Sequence, residues 1–159
     1  MYEREILARL IELYEYDFSD FEQSDLNSNG LYGYEYLDSY WKNPQRFPYF
    51  ILVNGKYAGF VLVCDYCYVS TEENTFFMSE FFVMKKYRNK GVGQFAASKI
   101  FSMHPGLWEL TVHPNNPSSH LFWKKIIRRV GAEDFKIHDQ VKNVYELCDA
   151  IAYTFRTPE

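Results

Sequence analysis

The stretch from Phe76 to Val112 constrains the fold most, because it reads as strand, glycine turn, helix and strand in immediate succession. Phe76 to Met84, FFMSEFFVM, is apolar and aromatic over the length of a buried strand. After Gly93, Phe95, Ala96, Ile100 and Met103 recur at helical intervals, which predicts a helix over 94–103. His104-Pro105-Gly106 breaks that pattern, and Leu107 to Val112 then alternates Trp108, Leu110 and Val112 against Glu109 and Thr111. Two strands joined through one helix make a parallel pair with a right-handed crossover.

The turn inside this unit carries chemistry of its own. Arg88-Asn89-Lys90-Gly91-Val92-Gly93 places two glycines where the backbone must pass close to something, flanked by Lys85 and Lys86. A helix N-terminus with free N–H groups, bared backbone and local positive charge suits an anion, phosphate best of all.

The remaining elements follow in order. Residues 3–18 set Ile6, Leu7, Leu10, Ile11, Leu13 and Tyr14 on one stripe, an amphipathic first helix. Ser19 to Gly33 is rich in Ser, Asp, Asn and Gly and reads as a loop. Tyr34 to Trp41 reads as a second short helix ended by Asn43-Pro44, whose tyrosines either pack the core or line a pocket. Phe47–Val53 and Lys56–Val63, separated by Asn54-Gly55, form an antiparallel hairpin, with the second strand continuing towards Val69. Ser118 or Ser119 caps a helix that stops at Gly131, with Phe122, Trp123, Ile126, Ile127 and Val130 on its apolar face and Lys124, Lys125 and Arg128 opposite. Phe135–Gln140 and a second run starting at Val144–Leu147 and extending through Ala150–Phe155 make a terminal hairpin, whose exposed aromatics suit a homodimer.

With 159 residues, no linker and no internal repeat, the expectation is one α/β domain over 1–159. Its sheet is mixed and mostly antiparallel, with a central parallel strand pair, and about four helices flank it. No apolar run reaches the roughly 18 residues of a membrane span. The start, MYEREILARL, lacks the order of a secretion signal, so a cytoplasmic protein is expected. Three cysteines do not make a disulfide framework, and Cys64-x-x-Cys67 lacks the second ligand pair of a metal site, so reduced thiols and no metal are expected.

The net charge of -4 hides an asymmetry: residues 1–42 hold ten acids and three bases, residues 85–136 three acids and ten bases. Such a chain can hold a cation at one place and a polyanion at another, unless these charges are simply solvated helix faces. Overall acidity argues against nucleic acid. Gly91-Val92-Gly93-Gln94-Phe95-Ala96 fits GxGxxA, but Lys85 to Lys90 intervene between strand and glycines, and the next strand ends in Val112-His113 rather than in a ribose-binding acid. No GK[ST] follows the glycines, which removes the Walker loop.

Val83-Met84-Lys85-Lys86-Tyr87-Arg88-Asn89-Lys90-Gly91-Val92-Gly93 resembles the acetyl-CoA-binding motif of the GNAT superfamily of N-acetyltransferases, V-x-P-x-x-R-x-x-G-x-G, with Lys85 at the position where proline is common. Asn116-Pro117-Ser118-Ser119-His120-Leu121-Phe122-Trp123 is similar to its second signature, N-x-x-A-x-x-F-Y. The resemblance implies that pantetheine lies in the opening between two splayed strands, paired with the backbone around Val83 and Met84. It implies a pyrophosphate on the N–H groups of Arg88, Asn89, Lys90, Gly91, Val92 and Gly93. Asn116 would bind the pantetheine arm or order its loop, Trp123 would stand beside the cofactor, and Lys124 or Lys125 would reach a phosphate.

The implied reaction is acetyl transfer from acetyl-CoA to a primary amine by direct attack in a ternary complex. The amine must lose a proton to a base, and Glu80, the one ionisable residue inside the aromatic strand, is the candidate, its pKa raised by neighbouring Phe rings. The plainer alternative is a strand-edge or ion-paired carboxylate. Family members often use a Tyr as acid where this chain has Trp123, whose indole cannot serve. Tyr87, Tyr145, water or unaided departure of the thiolate remain, and a catalytically weak acyl-CoA-binding domain is the rival reading. His113 and His120 are expected to cap a loop or face solvent. The acceptor pocket of the family draws on the first two helices, here acidic and tyrosine-rich, which suits a small cationic amine or a peptide.

Overall fold

In a computed structural model, which describes residues 2–158, Asn54 and Gly55 both take positive φ, +50° and +71°. That left-handed pair is what a two-residue turn between antiparallel strands requires. It joins β1 (Phe47–Val53) to β2 (Lys56–Cys64). β2 pairs antiparallel with β3 (Phe76–Val83), and β3 pairs parallel with β4 (Gly106–Val112) after a crossover through α3 (Val92–Met103). β5 (Glu133–Val141) and β6 (Ala150–Thr157) close the six-stranded sheet in the order β1-β2-β3-β4-β6-β5. This is the mixed, mostly antiparallel α/β sheet expected, with its parallel pair at the centre. Four α-helices, α1 (Tyr2–Glu22), α2 (Ser39–Lys42), α3 and α4 (Pro117–Arg129), and a 3-10 turn at Lys85–Tyr87 are present among the described residues.

The sheet separates two apolar layers. Val61 and Val63 of β2 join Trp108, Leu110, Ala97, Ile100, Phe101, Trp123 and Ile126 under α3 and α4. Phe60 and Leu62 face the other way, against Leu7, Leu10 and Ile11 of α1 and Tyr40 of α2. A strand presenting apolar residues to both faces is one buried on both, which is why β2 reads as a continuous apolar run.

Several expected details shift. α1 runs four residues past Phe18, since Phe18 and Phe21 pack on the His113 ring at 5.9 and 5.3 Å, and Leu13 is exposed instead of buried. The short aromatic helix shrinks to Ser39–Lys42, preceded by turns. On α3 the buried stripe is Ala96, Ala97, Ile100 and Phe101, so Phe95 and Met103 face solvent. The cap of α4 is Asn116, whose side chain accepts from the Ser119 N–H at 3.1 Å, with Pro117 as first helical residue. Residues 144–147 form a loop, and the last strand begins at Ala150.

The largest departure concerns Glu109. Read as an outward residue of β4, it is fully buried. Its carboxylate accepts the backbone N–H groups of Tyr68 and Ser70 at 2.7 Å each and of Val69 at 3.2 Å. A buried carboxylate persists only when such donors satisfy it. The consequence is that residues 65–75 fold over β4 as a loop, rather than continuing β2 towards Val69.

Candidate active site

A single extra residue decides which way Glu80 faces. Leu62 pairs with Glu80 but Val63 pairs with Met78, so Ser79 is an unpaired extra residue, a β-bulge. Phe76 and Met78 lie in the α3/α4 layer, and so do Phe81 and Val83, which shows the alternation reset at Ser79. Glu80 thereby falls in step with Phe82 on the α1 side, where a regular strand would have sent it the opposite way. The parallel pairing of β3 with β4 covers only Phe76–Met78 against Trp108–Leu110. Beyond it the two strands separate, and a cavity of about 940 Å³ opens between them.

One end of this cavity is bounded by the turn that follows β3. Asn89 and Gly91 take φ of +58° and +80°, which bends the chain so that α3 starts with its first N–H groups free of intrahelical partners. Gly93 also lines the cavity, and a Cβ there would lie 3.4 Å from the Phe122 ring and 3.5 Å from Val83. Arg88 is occupied structurally: its Nε donates to the Val83 carbonyl at 2.6 Å and its guanidinium pairs with Asp17 of α1 at 2.5 Å. Burial acts to raise the Asp17 pKa, but Arg88 and then Lys85 outweigh it and hold the carboxyl below its ordinary value.

The Met84 N–H donates to Ala58 O of β2 at 2.8 Å. By strand alternation the amides of Val83 and Phe81 point the other way, into the gap. Of the predicted cofactor residues, Val83, Arg88, Asn89, Gly91, Gly93, Asn116 and Trp123 line the cavity, while Met84, Lys90 and Val92 do not. Lys90 bonds the Lys86 carbonyl at 2.9 Å. Lys125 lines the cavity, whereas Lys124 lies 6.0 Å over the Tyr153 ring. Trp123 is buried edge-on against Phe81 and Phe122.

Glu80 also lines the cavity. Tyr14 of α1 donates to Oε2 at 2.5 Å and Tyr34 to Oε1 at 3.1 Å. Burial pushes the Glu80 pKa up to about 7, opposed by the Tyr14 bond and then supported by the nearby Glu15 carboxylate. Glu15 is itself pushed up to about 7 by burial and by Glu12. A carboxylate poised near neutrality, held by two phenols inside a cleft, is suited to accept a proton from a bound group. Sequence reading missed these two phenol bonds. Tyr14 was visible only as part of the apolar stripe of α1, and no local pattern joins positions 14, 34 and 80.

Of the two hydroxyls considered as acids, Tyr145 lines the cavity and Tyr87 does not. Burial holds Tyr145 well above the ordinary phenol range, hence protonated. His113 is 2% exposed, and its Nδ1 accepts the Asn115 amide at 3.2 Å, the loop-capping role expected of it. His120 meets the Tyr153 hydroxyl at 2.7 Å. Cys64 and Cys67 are free thiols, and burial raises both.

The acetyltransferase (GNAT) family matches residues 9–127, and the chain belongs to that family. No curated protein sequence matches it. Its fold is that of an acetyltransferase from Thermus thermophilus, with a TM-score of 0.64 at 12% identity, covering 91% of this chain and 88% of that one. A GNAT-family acetyltransferase from Streptococcus pneumoniae aligns with a TM-score of 0.55 at 15% identity, over 94% and 93%. Spermidine N-acetyltransferase from Vibrio cholerae, solved in complex with CoA and spermine, aligns with a TM-score of 0.56 at 9% identity, over 77% and 72%.

Acetyl-CoA is the co-substrate of this family, and the residues present fit it. The unpaired edge of β3, the left-handed Gly91 and the open start of α3 offer main-chain donors along one wall of one cavity. Among the described residues no helix is long and apolar enough to cross a membrane.

Proposed function

We propose that this chain is a single-domain N-acetyltransferase that transfers the acetyl group of acetyl-CoA to a primary amine of a small cationic molecule or peptide, by direct attack in a ternary complex. The observation that carries this reading is one cavity lined both by the glycine turn, with main-chain anion donors at Gly91 and Gly93, and by a near-neutral carboxylate, Glu80. The bound thioester supplies an activated acyl carbon.

The chain's own groups do the rest. The amides of Phe81 and Val83 hold the donor's arm as an added strand would be held, and the turn from Asn89 to Gly93 receives its diphosphate. The incoming ammonium is attracted by Glu80 and Glu15 and has no lone pair until Glu80 accepts its proton. Tyr14 and Tyr34 fix the carboxylate in place and stabilise its charged form. Tyr145 donates a proton towards the departing sulfur, the part that Trp123 cannot play.

The test is acetyl-CoA turnover over a panel of polyamines, aminoglycosides, amino acids and peptides. Thiol release with at least one amine, falling about 100-fold or more in Glu80→Gln with acetyl-CoA affinity intact, is the expected result. Acetyl-CoA binding with no thiol release on any amine identifies an acyl-CoA-binding domain instead. In Tyr145→Phe, a drop in kcat with unchanged acetyl-CoA affinity is expected, and an unchanged kcat rejects Tyr145 as the acid.

A further inference from the structure

Away from Glu80, where α1 ends, three metal-binding side chains converge that the proposed acetyl transfer does not use. Glu22 is the last residue of α1, His113 follows β4 and Cys148 precedes β6. The His113 Nε2 lies 3.1 Å from Glu22 Oε1 and 3.2 Å from Cys148 Sγ, and the three donor atoms all fall within 4.8 Å of one another. Zinc–ligand bonds of about 2.0–2.3 Å set neighbouring donors roughly 3.3–3.8 Å apart in a tetrahedron, so the two separations from His113 need little adjustment.

With Nδ1 accepting the Asn115 amide, the neutral ring carries its hydrogen on Nε2. That one hydrogen faces two partners, a carboxylate oxygen and a sulfur. Neighbouring groups hold two of the three donors in place. Glu22 Oε2 accepts the Glu146 amide at 2.9 Å, which fixes the direction of Oε1, and the rings of Phe18, Phe21 and Tyr145 wall the imidazole at 5.9, 5.3 and 4.9 Å.

We propose that Glu22, His113 and Cys148 bind one divalent cation, Zn2+ by the donor set, tying the end of α1 to the strand end of β4 and to the loop before β6. An imidazole, a thiolate and a carboxylate together select zinc over magnesium or calcium. Binding converts the Cys148 thiol to thiolate, with one proton released to solvent. The ring hydrogen moves from Nε2 to Nδ1, which gives up the 3.2 Å contact with the Asn115 amide. Glu22 and His113 line the cavity, so a water molecule there completes the tetrahedron.

The full chain, stripped of metal by chelation and kept reduced, is titrated with Co2+ and then with Zn2+ in competition. Expected are one equivalent bound with Kd of about 1 µM or tighter, and a sulfur-to-cobalt charge-transfer band that Zn2+ abolishes. Cys148→Ser removes the band, and Cys67→Ser leaves it. Glu22→Gln, which still accepts the Glu146 amide, weakens Co2+ binding by about 10-fold or more. Zn2+ raises Tm in the unaltered chain and not in Cys148→Ser. Saturation only at millimolar metal, absence of the band, or a band that survives in Cys148→Ser overturns the site. None of these readouts requires acetyl transfer, so they stand apart from the fate of the proposed reaction.

Discussion

Glu80 is held between opposing demands, and its titration should be visible in both stability and rate. Its pKa is pushed up to about 7 in the folded chain, against about 4.3 for an unperturbed Glu. Between those values the native state keeps a proton that the unfolded chain has lost, so stability falls as pH rises through about 4.5 to 7 and stays lower above it. Glu80→Gln removes that loss, and its Tm should exceed that of the unaltered chain at pH 8 while the two converge near pH 4. The rate of amine acetylation should rise with pH through about 7 in the unaltered enzyme. Tyr14→Phe deletes the 2.5 Å donation that favours the charged carboxylate, so its pH–rate profile should move to higher pH. At this scale the sequence was legible where chemistry is local: Glu80 stands alone among aromatics. The phenols that tune it arrive from α1 and from the segment before α2, 66 and 46 residues away, a separation that no spacing rule bridges.

At the scale of elements, the β3 bulge opposite Leu62 and Val63 turns Glu80, and Gly59 opposite Val83 sets how closely the same two strands approach. A Cβ on Gly59 would sit 1.9 Å from the Phe82 carbonyl, so β2 and β3 approach there as only glycine permits. Gly59→Ala should lower stability by on the order of 2–3 kcal/mol in chemical denaturation. Gly93→Val should act differently. It adds methyl groups towards the Phe122 ring and Val83 at the cavity wall, so acetyl-CoA affinity should drop about 10-fold or more with only a modest change in Tm, as isothermal titration and thermal melts would report. The parallel crossover and the helices α1, α3 and α4 could be read from periodicity because each repeats over many residues, and the hairpin from its Asn54-Gly55 turn, whereas the four-residue α2 could not. The bulge could not, since Phe77, Met78, Phe81 and Phe82 are apolar on both faces and leave no alternation in which a slipped residue would show.

For the whole molecule, the acidic first quarter and the basic middle become walls of one cavity, and they meet where Asp17 pairs with Lys85 and Arg88. Glu15, Asp17, Glu22 and Glu80 line the cavity together with Arg88, the glycine turn and Lys125. The segment-wise charge count was legible, but its meaning depended on α1 lying across the end of β3, a placement made by Phe60, Leu62 and Phe82. Glu109 has a further consequence, in time rather than in space. Its partners at 68–70 lie about 40 residues upstream, and β4 is joined to β3 only through the intervening helix α3. The loop at 65–75 can therefore lock onto the sheet only once the parallel pair exists, late in folding. Glu109→Gln, which keeps the size of the side chain but replaces one acceptor oxygen with a donor, should speed unfolding severalfold and leave the folding limb of the chevron nearly unchanged. The carboxylate then serves as the latch that closes last and sets how long the native state survives.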